Sequence, residues 1–457
     1  MPVGFTDPAA WAAATFGTVQ LGDRRRTARA VALGTAVLTN PAASLPRQCQ
    51  DWATLKAAYR FLDSAAVTHE ALIAPALAQT REALAEQSVV LFIHDGTLLD
   101  YSHYRTTKDL GPIGNGRGRG YVVHTVLATE PGTRRVLGLA AQDAFVPVPR
   151  PADETLRALQ RRPRKTDVWP QAVDAIGQAP DGRTWVHVGD READFARFFA
   201  ACIRQGCAFL VRAVKDRRVG EDDDTVDRLL TEVRAACAQD VQTRELPASH
   251  GTPARMAQLS LTILPITIRV PRQEQVGGPT PVWVIRVWEA DPPEETEPIE
   301  WILMTNLLTE TPEQAWERVR WYEQRWVIED FHHCLKTGCR IEQRHLGTQA
   351  ALERLLGLCT PVAVELVRLR EVVRHEPEVV AQRVLPADLV ALVAALAGLD
   401  PATVTVKRCW EQIARRGGWL GRTGDGPPGW KTLWLGWYDI QRLLEGMRLV
   451  ARLPPHA

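Results

Sequence analysis

Two short apolar runs, residues 88–94 (SVVLFIH) and 184–189 (TWVHVG), are each followed at once by an aspartate, and they constrain this chain more than any other feature. Runs of this length, rich in Val, Ile, Phe and Trp, read as buried strands rather than helices. Between them lie a hairpin, at 121–128 and 135–141 around Pro131-Gly132-Thr133, and a short helix at 168–176. A helix over 193–205 and a strand over 208–214 follow. The order strand, hairpin, helix, strand, helix, strand predicts an α/β fold with a mixed sheet and helices on its faces. Asp95 and Asp190 then stand at strand ends, where ligand sites of such sheets form.

The flanking sequence has a different texture. Residues 1–80 predict helices over 28–37, 53–61 and 70–85, separated by Pro41, Pro46 and turn residues. Arg24, Arg25, Arg26 and Arg29 open the second helix behind Asp23, and 25, 26 and 29 share a face. Such a face is either plain solvated charge or an anion contact. The loop 103–120 carries Arg105, Lys108, Arg117 and Arg119 against Asp109, with glycines that let backbone approach a ligand closely. Residues 150–166 are basic and expected on the surface. From 215 to 310 an acidic helix (221–238) precedes strands at 255–270, 282–289 and 301–305, which reads as a β-rich insertion.

Composition sets outer bounds. With 457 residues, three domains or so are expected at about 150 residues each. Lys plus Arg total 55 against 54 Asp plus Glu, which excludes a uniformly basic coat, so any nucleic-acid contact must come from local patches. Eight cysteines without a CxxC pair point to reduced thiols. No signal peptide is visible, and the longest apolar run, 389–399, is about half of the ~20 residues that span a bilayer. The expectation is a soluble cytoplasmic protein with no membrane partner.

A further helix is predicted from Thr311 to residue 337. Thr311 at the N-cap, Pro312 at the first turn and Gln314 at N3 form a capping box, and Gly338 ends the run. At about 100° per residue, Tyr322, Arg325, Glu329 and Lys336 fall within roughly 60° of arc. This polar stripe is either a salt-bridged surface face or a carboxylate ligand flanked by phosphate-binding cations. Asp95, Asp190 and Glu329 together make a set of hard oxygen donors suited to Mg²⁺ or Mn²⁺. Two such ions about 4 Å apart can activate a water and stabilise the leaving oxygen at a phosphodiester. His332 and His333 have no paired ligands at zinc spacing elsewhere, and no zinc site is expected. His94 and His124 are expected as hydrogen-bonded residues near the core edge. The five tryptophans of the helical tail (410, 419, 430, 434, 437) are expected as packing anchors.

Four blocks carry a more specific resemblance: LGDRRRTARA (21–30), IHDGT with Asp95, GDREAD (189–194) and YEQRWVIEDFHHCLKTG (322–338). In that order they resemble the bacterial cut-and-paste DDE transposases of insertion-sequence family four, the last block fitting Tyr-x2-Arg-x3-Glu-x6-Lys through Tyr322, Arg325, Glu329 and Lys336. AYRF (58–61) and GGWLGR…GWKTLWLGW (417–437) are similar to the family as well. The resemblance implies a ribonuclease-H-like mixed-sheet catalytic core with a β-rich insertion, flanked by helical N- and C-terminal domains. It divides the chain into an end-binding domain (1–80), a core in two parts (81–214 and 309–375), an insertion (215–308) and a dimerisation region (376–457). It implies Asp95, Asp190 and Glu329 as ligands of Mg²⁺, with Mn²⁺ able to substitute. Tyr322, Arg325 and Lys336 would grip phosphates near the cleavage point. Arg25, Arg26, Arg29, Arg60, Arg119 and Arg212 would contact DNA. Trp301 matches a position where an aromatic stacks on a flipped base, although a tryptophan opening a strand is often plain core. The implied partners are double-stranded DNA, both inverted-repeat ends and target, and a second subunit. Gly96 departs from the pattern, since a hydroxylated residue is common there in relatives. A catalytically silent DNA-binding relative and a general metal-dependent nuclease are the competing readings.

Overall fold

The computed structural model describes residues 5–148, 164–220, 227–246, 254–269, 278–294, 296, 298–422 and 425–450. The basic stretch expected at 150–166 lies almost wholly outside the described residues, as does the start of the acidic helix.

The N-terminal segment folds into α1 (Pro8–Phe16), α2 (Arg24–Thr39), α3 (Leu45–Cys49), α4 (Trp52–Asp63) and α5 (His69–Leu84). Side chains fix where these begin. Asp23 accepts from the Arg25 amide at 2.8 Å, and Asp51 from the Thr54 amide at 2.9 Å. Each caps an otherwise orphaned donor of the first turn.

The sheet has strands β1 (Val89–Asp100), β2 (Gly111–Ile113), β3 (Gly118–Thr129), β4 (Val136–Phe145), β5 (Thr184–Gly189), β6 (Ala208–Arg212), β7 (Arg218–Val219), β8 (Asp227–Arg228), β9 (Asp240–Leu246), β10 (Arg255–Ile268), β11 (Thr280–Glu289) and β12 (Glu300–Thr305). Their spatial order is β2-β3-β1-β5-β6-β12-β11-β10-β7-β8, with β4 paired to β3 and β9 to β10. The central β1-β5-β6 ladders are parallel, and β3 and β12 border them antiparallel, giving the mixed sheet. The β-rich segment after residue 215 joins this same sheet, because β12 pairs directly with β6.

Two local expectations change. Asp95 is not at a strand end, because β1 runs on to Asp100. The parallel partner β5 stops at Gly189, but β3 continues the antiparallel ladder as far as Gly120 opposite Asp100. The single helix expected over 311–337 is three pieces. With α6 (Val168–Ile176), α7 (Ala196–Arg204) and α8 (Leu229–Ala235) preceding, these are α9 (Pro312–Glu323), α10 (Trp326–His333) and a π-helical turn over Cys334–Gly338. Between α9 and α10, Gln324, Arg325, Val327 and Ile328 donate to the carbonyl three residues back. Such tightened steps kink a helix. The capping box at its start is present: the Gln314 amide donates to Thr311 Oγ1, and the Gln314 side chain accepts from the Thr311 amide.

The long α11 (Gln349–His375) runs through the main core, followed by α12 (Ala387–Ala397), α13 (Val406–Arg416) and α14 (Trp430–Val450). The main apolar cluster joins α1–α5, one sheet face, α9–α11 and the tail helices. Leu91 and Ile93 of β1 and Val186 and Val188 of β5 point into it. Phe92 and Phe209 point to the opposite face, covered by α6 and α7. Trp410, Trp434 and Trp437 are buried packing anchors. At the crossing of α13 and α14, a Cβ on Gly436 would lie 1.7 Å from the Ile413 carbonyl oxygen, so only glycine lets these backbones meet. All eight cysteines are free thiols. Among the described residues, no helix is long and apolar enough to cross a membrane.

Candidate active site

Strand register builds the centre of the site. Ile93 of β1 pairs with Val188 of β5, and Val188 with Leu210 of β6. Two residues onward on each strand are Asp95, Asp190 and Arg212. Side chains two apart share a face and parallel strands are about 4.8 Å apart, so these three stand in a row facing α9 and α10.

The helices close over that row. Arg325, in the kink between them, donates to Glu329 Oε1 at 2.7 Å and pairs with Asp95 Oδ2 at 3.5 Å. One guanidinium thus bridges the first and third carboxylates. Tyr322 is buried at the end of α9, and the ring of Trp301 meets it edge-on at 5.4 Å. Burial pushes the Tyr322 phenol up, against the pull of Arg325 and Arg212, so it keeps its proton as a donor. Burial pushes Arg212 down, and its Nη2 donates to the Glu300 carbonyl at 3.0 Å.

Asp95 is strongly perturbed as well. Burial, with added repulsion from Asp190 and Glu329, pushes its carboxyl up to about 7, against the opposing pull of Arg325. Arg325 joins Asp95 to Glu329, and Asp190 is near enough to act on the Asp95 carboxyl, but the three do not close into a cage. Among the described residues, the set of His and acidic groups whose ligand atoms all lie within 4.8 Å of one another is His69, Glu70 and Glu353, on α5 and α11. The centre nevertheless sets three carboxylates beside the guanidiniums of Arg325 and Arg212, and its anionic groups are all oxygen donors, the chemistry that suits a hard divalent cation. The residues present fit such an ion.

Asp190 is held by the turn that follows it. Its Oδ1 accepts from the Glu192 amide at 2.8 Å. Beyond it, buried Asp194 accepts from the amides of Val214 and Lys215, each at 2.9 Å, and pairs with Arg217. A Cβ on Gly189 would lie 2.4 Å from the Ala193 Cβ and 3.1 Å from the Trp169 ring. Gly189→Ala is therefore expected to push the Asp190 turn outward and cost about 1–3 kcal/mol. Thermal unfolding checks the loss, and a variant of unchanged stability would contradict the packing described. Gly96 has no such role, since a Cβ there meets nothing within 4 Å.

The remaining expected residues are spread more widely. Lys336 sits in the π-turn, where Nζ donates to the Leu98 carbonyl at 2.6 Å and lies 3.5 Å from Glu342. By strand rise this is about 10 Å from Asp95, so the kink and π-turn separate Lys336 from the stripe drawn on an ideal helix. Trp301 is half-buried, packed on the main core as well as on Tyr322. Arg25 and Arg60 stand exposed on α2 and α4, and Arg29 is half-buried on α2. Arg26 is tied to the Leu21 carbonyl at 2.8 Å, and Arg119 to the Thr107 carbonyl at 3.0 Å. His94 and His124 are not at a core edge. They are fully buried with His187, His94 Nε2 lying 2.8 Å from His187 Nδ1, and pleating puts His94 on the face opposite Asp95. Burial holds all three far below the usual imidazole range.

Three residues escaped sequence reasoning. Asp194 locks the Asp190 turn, and its place in GDREAD was a usable signal. Trp326 leaves its indole 58% exposed beside Arg325, a flat face next to the site. Asp330, next to Glu329, faces away from the centre and binds the tail; nothing in the sequence marked it.

Comparison with protein families agrees with this geometry. The family model described as transposase DDE domain matches residues 88–363. The chain belongs to the DDE transposase family. A transposase DNA-binding model matches residues 8–67, covering α1 to α4, and a Tn5 transposase dimerisation model matches residues 362–453. This DDE transposase has the Tn5-like domain set, which fits insertion-sequence family four. It is a cut-and-paste transposase that acts on DNA by phosphoryl transfer, with a ribonuclease-H-like core, a divalent metal requirement and a homodimeric assembly. The silent-relative and general-nuclease readings are not favoured.

Proposed function

We propose that Asp95, Asp190 and Glu329 hold the metal ions of this transposase, and that the resident ion is Mg²⁺, with Mn²⁺ able to substitute. What supports this reading is the shared register of Asp95 and Asp190 on neighbouring parallel strands, with Arg325 joining Asp95 to Glu329. When bound, Mg²⁺ supplies Lewis acidity at the phosphodiester. The chain's own residues do the rest. Arg325 and Arg212 place two cations beside the carboxylates, where a phosphate arriving between them is held. The Tyr322 phenol, kept protonated, donates to a phosphate oxygen. Lys336 holds DNA further along β1, and Trp301, with one ring edge on Tyr322, stacks on a displaced base. We take 1–80 as the end-binding domain, 81–214 and 309–375 as the core, 215–308 as its insertion and 376–457 as the dimerisation region.

Arg25, Arg26, Arg29, Arg60 and Arg119 complete the DNA surface in this reading, in two manners. Arg25 and Arg60 reach into solvent and are suited to direct phosphate contact. Arg25→Ala and Arg60→Ala are each expected to weaken end binding and to lower the slope of log affinity against log salt by about 1. Arg26 and Arg119 brace carbonyls, so their loss acts through the backbone they hold. A salt titration of binding separates the two classes, and unchanged slopes would remove Arg25 and Arg60 from the interface.

The test of the whole reading is incubation of the full chain with its own end DNA, in Mg²⁺ or in Ca²⁺. Nicked and then joined strands in Mg²⁺, with binding alone in Ca²⁺, are the expected products. Cutting without end preference or strand joining would instead mark a general nuclease.

A further inference from the structure

The helix that carries Glu329 is short. It spans Trp326–His333, follows a kink and runs into a π-turn. A helix of two turns has little rigidity of its own, so tertiary contacts set its direction. On one side those contacts are Arg325, Asp95 and the sheet. On the other side stands Asp330, about 100° around the helix from Glu329.

Asp330 is a half-buried junction. Its Oδ1 accepts from Trp430 Nε1 at 2.6 Å and pairs with Arg370 of α11, while Arg374 approaches Oδ2 at 3.5 Å. The Arg370 guanidinium lies 4.2 Å over the Trp430 ring, and Trp430 stacks on Trp434 at 5.6 Å, nearly parallel. Trp434 in turn packs on Gly338, where a Cβ would come within 2.7 Å of its ring. The first turns of α14 thus grip the segment after Glu329 at two points, Asp330 and the end of the π-turn. Among the described residues, no hydrogen bond or ion pair joins Asp330, Arg370 or Trp430 to the side chains that face the centre.

We propose that Asp330 is a positioning residue: docked onto Arg370 and Trp430, it fixes the angle at which its helix presents Glu329 to Asp95 and Asp190. This rests on the reading of Glu329 as the third metal-binding carboxylate. A displacement of about 1 Å at a reacting group can cost ~100-fold in rate, so a loosened junction reaches the chemistry without touching it.

The test uses the full chain with Asp330→Asn, Trp430→Phe, their double variant and Glu329→Gln. Four quantities are read: end-DNA affinity, melting temperature, nicking rate, and the Mg²⁺ concentration that gives half the maximal rate. Asp330→Asn is expected to nick about 10- to 100-fold more slowly and to need more Mg²⁺, with end affinity within about twofold of the parent. Trp430→Phe keeps an aromatic ring in place but loses the N–H and the rest of the indole's five-membered ring, while Arg370 still reaches Asp330, so it shifts rate and Mg²⁺ demand the same way by a smaller factor. The double variant should be no worse than Asp330→Asn, since both break one junction. A parental rate and Mg²⁺ demand in Asp330→Asn would overturn the proposal. So would a loss of end binding parallel to the loss of rate, which marks a merely structural role, or strictly multiplicative effects in the double variant. Glu329→Gln keeps the two claims apart. If it still nicks, the glutamate assignment falls; if it is inert while Asp330→Asn behaves as the parent, only the positioning role falls.

Discussion

Glu329→Gln, Asp190→Asn and Asp95→Asn are each expected to abolish strand cleavage, by about 10³-fold or more, while end binding stays within twofold of the parent. Each change keeps the shape of the side chain and removes one negative charge from a centre where Arg325 is the bridging cation. The segment matched by the transposase DNA-binding family covers α1 to α4, to which the proposed reading assigns end recognition, and none of the three carboxylates belongs to it. The measurement is a paired one: gel-shift affinity for end DNA, and single-turnover nicking on the same duplex. Nicking by Glu329→Gln at a tenth of the parental rate or better would remove the glutamate from the metal-holding set.

The second large effect is a dependence on pH set by Asp95. Its carboxyl titrates near 7 in the folded chain against 3.8 for the ordinary side chain, raised chiefly by burial and then by Asp190 and Glu329. The folded chain therefore binds a proton there that the unfolded chain has already released. The sign follows: in the absence of divalent ions this group lowers stability as pH rises from about 4 to 7, and adds nothing further above that. Asp95→Asn removes the penalty and is expected to raise the melting temperature at pH 8, in EDTA, by about 2 °C or more. An ion prefers the ionised form, so binding expels a proton and apparent affinity climbs by up to about tenfold per pH unit below 7, then levels. Melting curves from pH 5 to 8, with EDTA or Mn²⁺, check both statements. A metal-induced stabilisation that is flat across this range would contradict the position of Asp95 among its neighbours.

Much of the arrangement could be read from particular residues. The runs before Asp95 and Asp190 gave two central strands because short, dense apolar segments have few other ways to be buried. Thr311, Pro312 and Gln314 located a helix start to the residue, since capping is a local contest among a few donors. The Tyr-Arg-Glu-Lys spacing correctly put Arg325 against Glu329, four residues apart on one helical face. It failed for Lys336, because an ideal helix was extended through Gln324–Arg325 and the π-turn, where hydrogen bonding departs from the regular ladder. The apolar run likewise ended β1 too early, placing Asp95 at a strand end although the strand runs on to Asp100. That length depends on β3, which supplies the facing ladder from another part of the chain.

The amino-acid order by itself determined which groups are available: two aspartates behind apolar strands, a glutamate flanked by Arg and Tyr, basic helices at one end and a tryptophan-rich helical tail at the other. These follow from alternation, helical period and capping, all of which act within a few residues. Only tertiary structure decided that Ile93 sits beside Val188 and Val188 beside Leu210, so that Asp95, Asp190 and Arg212 share one row, and that a tail helix reaches back to Asp330. Strand register and helix docking are settled by burial summed over distant segments, and no local pattern carries that sum.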